Sequence, residues 1–109
     1  MNLLKKSDLK SHDVYEFCYA KDYPNHWSED SLYIIDEEFA VLVPYLSQVF
    51  SDFDYYGREK VTLSEWENVK QLALGEKKQK ESILSFFNEI DEWLKKDINR
   101  DDYFWIFGL

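Results

Sequence analysis

The 109 residues include 22 acidic and 13 basic side chains, for a net charge of −9, with 45% hydrophobic and 18% aromatic content. That length suits one domain around a single core, here residues 1–109, without the disulfide or metal staples that much smaller chains need. A single cysteine, Cys18, excludes an intrachain disulfide, and no apolar run approaches the roughly 20 residues needed to cross a bilayer.

The opening residues, Met1 to Lys6, lack the apolar stretch and small-residue cleavage site of a signal peptide, so the expected compartment is the cytoplasm and no membrane partner is expected. Val14 to Ala20 is rich in the aromatic and branched residues that suit a pleated surface, which predicts a strand. A helix with Tyr15, Cys18 and Tyr19 on one face is the alternative. From Asp36 to Phe53 a helical stripe of Phe39, Leu42, Val43, Leu46, Val49 and Phe50 is interrupted by Pro44. Two solutions fit: a helix capped by Asp36 and bent at the proline, or short strands at Leu32 to Ile35 and Phe39 to Val43 followed by a helix with Pro44 at its first position. The stripe stays in phase across Pro44 and favours the kinked helix.

Thr62 with Glu65, or Ser64 with Glu67, has capping-box spacing and starts the next helix, which buries Trp66, Val69, Leu72 and Ala73. Gly75 is placed to close it in the left-handed conformation. From Glu76 to Asp97 a second stripe of Ile83, Phe86, Phe87, Ile90 and Leu94, flanked by Trp93, predicts a long helix joined to the previous one as a hairpin. Its mixed charges read as a solvated face. Tyr103 to Phe107 predicts a closing strand able to pair with the first. The expected fold class is therefore α+β and helix-dominated, with three or more helices and a small antiparallel strand pair formed by the N- and C-terminal segments.

Assembled chemistry is missing from the pattern. A calcium loop begun at Asp52 has Asp54 and Gly57 in place but Leu63 where the last acid is required, and one begun at Asp97 has Asp102 for the turn glycine and Gly108 for the final acid. Cys18, His12 and His26 are too few and too scattered for zinc. Nucleophile elbows and glycine-rich phosphate loops do not occur. Neither an enzyme nor a cofactor is expected. Lys5, Lys6 and Lys10, and Lys77, Lys78 and Lys80, are short basic clusters in an acidic chain, which opposes direct binding of nucleic acid.

The charge itself is informative. Residues 13–67 contain thirteen acids, three bases (Lys21, Arg58 and Lys60) and thirteen of the twenty aromatic residues. Acidic tails that stay unfolded are poor in aromatics, so this segment is expected to fold and to display its charge. An ordered anionic surface bearing rings suits capture of a basic protein.

Asn25, His26 and Trp27, the run Phe53-Asp54-Tyr55-Tyr56-Gly57, the helix start Leu63-Ser64-Glu65-Trp66 and the ending Tyr103 to Leu109 together resemble small bacterial immunity proteins encoded beside polymorphic toxins, including those of contact-dependent growth inhibition systems. The resemblance covers most of the chain through short motifs. It implies a cytoplasmic antidote that binds a cognate toxin, often an RNase or DNase, and blocks its active site or substrate path. It implies no binding residues, because such families vary most on that surface. The matched residues are expected to hold the fold, with Gly57 permitting the turn, Trp66 filling the core, and Tyr55 or Tyr56 capping its edge. Charge spacing selects Glu29, Asp30, Glu37, Glu38, Asp52 and Asp54 as the toxin-facing acids, with Trp27 and Tyr33 as aromatic anchors. An acidic adaptor or regulator acting on another basic protein is the alternative.

Overall fold

A computed structural model describes residues 2–10, 13–20, 27–75, 80–96 and 102–108. Four strands, β1 (Val14–Tyr19), β2 (Leu32–Ile35), β3 (Arg58–Thr62) and β4 (Tyr103–Phe107), form one antiparallel sheet in the order β2-β1-β4-β3. The expected pairing of the terminal segments is present at the centre of this sheet, with Glu16 opposite Phe107 and Tyr19 opposite Phe104. The strand pair is thus enlarged to four strands. Leu32–Ile35 joins β1, and the charged Arg58–Thr62 pairs with β4, with Arg58 opposite Phe107 and Thr62 opposite Tyr103. β3 carries almost no apolar signal of its own, since Arg58 and Lys60 are exposed and only Val61 is buried.

The region around Pro44 combines parts of both expected solutions. β2 ends at Ile35, α1 (Asp36–Phe39) follows, a 3-10 turn covers Ala40–Leu42, and α2 (Val43–Val49) begins with Pro44 in its first turn. The stripe stays in phase because the chain remains right-handed throughout, while the tighter turn places Pro44 where its missing N–H costs nothing. Ile35, rather than Asp36, is the cap residue of α1, and Phe50 is already extended, so the helix stops short of Phe53.

The helices α3 (Leu63–Gly75) and α4 (Lys80–Lys95) pack on one face of the sheet. Thr62 and Glu65 form the capping box: the Glu65 N–H donates to Thr62 Oγ1 at 3.2 Å and the Thr62 N–H to Glu65 Oε1 at 3.0 Å. Trp66, Val69 and Ala73 of α3 are buried, whereas Leu72 is 38% exposed. Ile83, Phe86, Phe87, Ile90 and Trp93 of α4 are buried as their spacing required. Lys70 donates to Asp91 Oδ2 at 2.8 Å across the two helices, and that bond is the main reason its ammonium group is held above its ordinary pKa. The joint of the hairpin, residues 76–79, lies outside the described residues.

The core is largely rings. Phe17 contacts Trp66, Phe86 and Phe104 edge-on or tilted at 5.9, 6.0 and 6.2 Å, and Trp66 meets Phe104 at 5.4 Å with its ring nearly perpendicular. The Trp66 indole N–H has no hydrogen-bond partner inside this shell. Cys18 is buried, as expected of a small apolar residue.

Gly57 permits its turn as expected, whereas Gly75 does not take the left-handed conformation expected of it. Neither Gly75 nor Gly57 has a positive φ. At Gly57 a Cβ would fall 2.2 Å from Asp54 Oδ2, and at Gly108 one would fall 2.1 Å from the Tyr55 carbonyl oxygen. Gly108 also donates its N–H to the Gly57 carbonyl at 2.5 Å. These glycines allow the Asp54 to Gly57 turn to lie flush against the end of β4. Gly108→Ala is expected to destabilise the protein by about 2 kcal/mol or more, because backbone must move. Gly75→Ala, with no atom within 4 Å of the new Cβ, is expected to stabilise it by about 0.5 kcal/mol. Urea denaturation of the two variants checks both signs.

Candidate functional site: two acidic ends of one sheet

β1 begins, β2 ends, β4 ends and β3 begins at the same end of the sheet, here called the lower end. The connections leaving it carry acids. Asp13, Glu37, Asp52 and Asp54 are exposed there, and Asp36 and Glu38 are half-buried. The Asp36 N–H donates to the Asp13 carbonyl at 3.0 Å, which fixes the start of α1 beside the start of β1. Phe53, which follows Asp52, packs 6.5 Å from Phe39 and 4.6 Å from Tyr55, so the chain after α2 returns to this end. Asp54 Oδ1 accepts the Tyr56 N–H at 3.0 Å, and Glu38 accepts the Asn2 N–H at 3.3 Å through either oxygen.

Among the described residues no ion pair reaches Asp13, Asp36, Glu37, Glu38, Asp52 or Asp54. Arg58, the base on this end of β3, instead places its guanidinium 5.9 Å from the Trp105 ring centroid. Tyr56 is 81% exposed and Ile35 is 42% exposed, so apolar surface stands beside the charge. The buried Tyr15 ring stacks on Phe39 at 3.8 Å. Burial, and then the nearby Asp36, Tyr56 and Tyr55 side chains, push its hydroxyl up to about 12.

At the opposite, upper end, β1 runs out at Tyr19 and the chain returns through Trp27 to Ser31 into β2. This connection is organised by Glu16, which is 1% exposed. Its Oε1 accepts the Trp27 N–H at 2.8 Å, and its Oε2 accepts the Ser28 N–H at 3.2 Å and the Ser31 hydroxyl at 2.6 Å. Trp27 takes a left-handed φ of 64° and lies parallel to the Tyr33 ring at 5.9 Å. Ser28 Oγ sits 3.9 Å from Cys18 Sγ.

The eight residues selected from the sequence are therefore divided. Glu29 and Asp30 are exposed at the upper end, Glu37, Glu38, Asp52 and Asp54 belong to the lower end, and about 17 Å of strand at roughly 3.3 Å per residue separates the two. Trp27 is half-buried over the sheet. Tyr33 is a correction: it is fully buried, its hydroxyl donates to the Ser28 carbonyl at 2.6 Å, and a partner cannot reach it. Burial and the neighbouring Glu16 raise its hydroxyl pKa well above the ordinary value. Of the two tyrosines expected at the edge of the core, Tyr55 takes that place, half-buried against Phe53, while Tyr56 is 81% exposed.

Among the described residues no helix is long and apolar enough to cross a membrane, and no group of three or more His, Cys, Asp or Glu is disposed to hold a metal ion. His12, His26, Lys21, Asp97, Asn99 and Asp101 lie outside the described residues. The chain matches no protein-family model, no curated protein and no solved structure.

Glu16→Gln is expected to cost more than about 2 kcal/mol, because one buried N–H loses its acceptor and the amide must face a donor. Loss of the Trp27 signal in near-ultraviolet circular dichroism should accompany it. Tyr15 and Tyr33 both hold their protons above the unfolded value of 10.0, so the stability they contribute is complete below pH 10 and drains away as the pH climbs toward 12. Tyr15→Phe should leave stability at pH 8 within about 1 kcal/mol of the parent and flatten the alkaline fall, measured by urea denaturation at pH 8 and pH 11.

Proposed function

We propose that the protein is an immunity protein that binds and neutralises a cognate antibacterial toxin, a nuclease, by covering its active site or substrate path with an acidic, aromatic-bearing surface. The observation that carries this reading is the lower end of the sheet. Six carboxylates without ion-pair partners among the described residues share that end with an exposed tyrosine and an exposed isoleucine. A nuclease channel is lined with cations placed for phosphates, and carboxylates on a rigid support can occupy those positions in their stead. The charge steers the encounter and raises its rate by about 10 to 1,000-fold at low salt. The ring and the aliphatic side chain supply contact area that charge alone does not, as buried aromatic anchors do at protein interfaces.

The connections that present the acids are braced. Asp36 is tied to Asp13 through the backbone, Asp54 is held by its own turn, and Gly108 fastens that turn to β4. A surface ordered before binding loses less conformational entropy on association.

Co-expression with the polypeptide encoded immediately upstream is expected to yield a complex in a pull-down and to rescue growth. Asp13→Lys, Glu37→Lys and Asp52→Lys together reverse three exposed acids. They are expected to slow association at least tenfold, abolish its decline with added salt, and remove protection while the thermal melt stays intact. Tyr56→Ala should leave folding unchanged and weaken binding by about 2 kcal/mol if the ring is an anchor. Full protection by both variants would eliminate the lower end as the contact.

A further inference from the structure

The sheet has two edges, and they differ. At the β2 edge the Leu4 N–H donates to the Tyr33 carbonyl at 2.7 Å and the Tyr33 N–H to the Leu4 carbonyl at 2.9 Å, so the N-terminal segment closes it. The β3 edge has no such cover among the described residues. The bonds from the Gly108 N–H to the Gly57 carbonyl and from the Leu63 N–H to the Asp102 carbonyl fix the phase of the β3–β4 ladder. In that phase Glu59 and Val61 turn their backbone groups toward β4, and Arg58 and Lys60 turn theirs outward. Among the described residues no hydrogen bond reaches those outward N–H and C=O groups.

The open stretch is short and bounded on both sides. The Tyr56 N–H before it is taken by Asp54 Oδ1 at 3.0 Å, and the Thr62 N–H after it by Glu65 Oε1 at 3.0 Å. Between them the outward groups of Arg58 and Lys60 stand roughly 7 Å apart along the strand. Val61 is buried in the core beneath the helices, which puts Glu59 on that side as well and Arg58 and Lys60 on the opposite face. Both bases are exposed. Each lies over a ring of β4, Trp105 or Tyr103, and keeps its outer donors for a carboxylate.

We propose that an extended segment of a partner protein adds to β3 as a further antiparallel strand, with acidic residues opposite Arg58 and Lys60 and a basic residue opposite Glu59. Main-chain bonds to the outward groups supply the affinity, and the alternating charges supply the selectivity. A strand that brings bases opposite Arg58 and Lys60 is repelled, which is how the same charges guard the edge against indiscriminate pairing. A second copy of β3 is such a strand. Antiparallel pairing about Glu59 sets Glu59 against Glu59 and Arg58 against Lys60, while pairing about Lys60 sets Lys60 against itself and needs the Thr62 N–H that Glu65 already holds. None of the six lower-end carboxylates is a contact in this docking, and its partner need not be a toxin.

The probe is a synthetic peptide of about seven residues, a common strand length, with Glu-Lys-Glu at its centre. Its controls are the charge-inverted Lys-Glu-Lys peptide and a Glu-Lys-Glu peptide N-methylated at both glutamates. Binding is followed by amide chemical shifts and hydrogen exchange. The Glu-Lys-Glu peptide is expected to shift the Arg58 and Lys60 amides and slow their exchange at least tenfold at saturation, and both controls are expected to fail. Lys60→Pro deletes an outward N–H that β4 does not use, so it should abolish binding while the protein still melts cooperatively. Arg58→Glu with Lys60→Glu should weaken the Glu-Lys-Glu peptide at least tenfold and let the Lys-Glu-Lys peptide bind in its place. The lower-end triple variant should bind the probe as the parent does. Absence of binding, equal binding of the N-methylated peptide, or shifts confined to residues away from β3 would each overturn the proposal. Exchange at Arg58 and Lys60 that slows with protein concentration alone would give the edge to a second copy and overturn it too.

Discussion

A charge buried inside a small sheet is expensive unless its lone pairs are used, and the placement of Glu16 sets terms for much of the fold. Among the described residues three donors meet its carboxylate, from Trp27, Ser28 and Ser31. Hydrogen bonds to an ionised group are about twice as strong as neutral ones, which is what holds Trp27 at a positive φ worth about 1–3 kcal/mol of strain. Once that connection is pinned, Trp27 covers Tyr33 on one face of the sheet, and the Asp30 carbonyl is set to receive the Trp93 indole on the other. A single glutamate thereby couples the two faces. Removing it would release the lid over β2 and the Asp30 contact to Trp93 together.

The few bases are disposed with a similar economy. Arg58 and Lys60 lie over the rings of Trp105 and Tyr103, at 5.9 and 4.2 Å, on the sheet face opposite the helices. Each contact contributes about 0.5–1 kcal/mol at an exposed site. On the edge strand β3 the same charges discourage pairing with a foreign strand. Lys70 and Lys95 are engaged by Asp91 and Glu92 on α3 and α4. With these cations committed to rings and to the helical hairpin, the acids on the lower connections have no ion-pair partner among the described residues. The anionic end thus arises as much from where the bases are held as from where the acids are.

The helices of the hairpin were legible in the sequence because their cores repeat every three or four residues and because Thr62 and Glu65 can satisfy each other's backbone. The strands β1 and β4 were legible from their aromatic and branched content. β3 was not, since Arg58, Glu59 and Lys60 owe their extended form to pairing with β4 rather than to any apolar alternation. β2 was entertained only as an alternative. Its Leu-Tyr-Ile-Ile run resembles a helix segment because the lid covers one face and the helices the other, which removes the alternation. The candidate surface was half legible. Acid spacing in the chain identified carboxylates at both ends but could not reveal that β2 holds them apart. Nothing in the sequence distinguished Glu16, a core residue, from its surface neighbours.

Carboxylates gathered at one end repel each other and work against folding, an effect that screening by salt relieves only for exposed charges. The protein tolerates that cost because the same connections are anchored in the aromatic core: Phe39 on Tyr15, Phe53 on Phe39 and Tyr55, and Gly108 against the Tyr55 backbone. Such an arrangement stores unfavourable electrostatic energy in the free protein. On the proposed function a cationic partner would discharge it on binding, so that part of the affinity would come from relief of self-repulsion in addition to new contacts. That relief requires a rigid scaffold, because flexible connections would let the acids drift apart and dissipate the repulsion before any partner arrived.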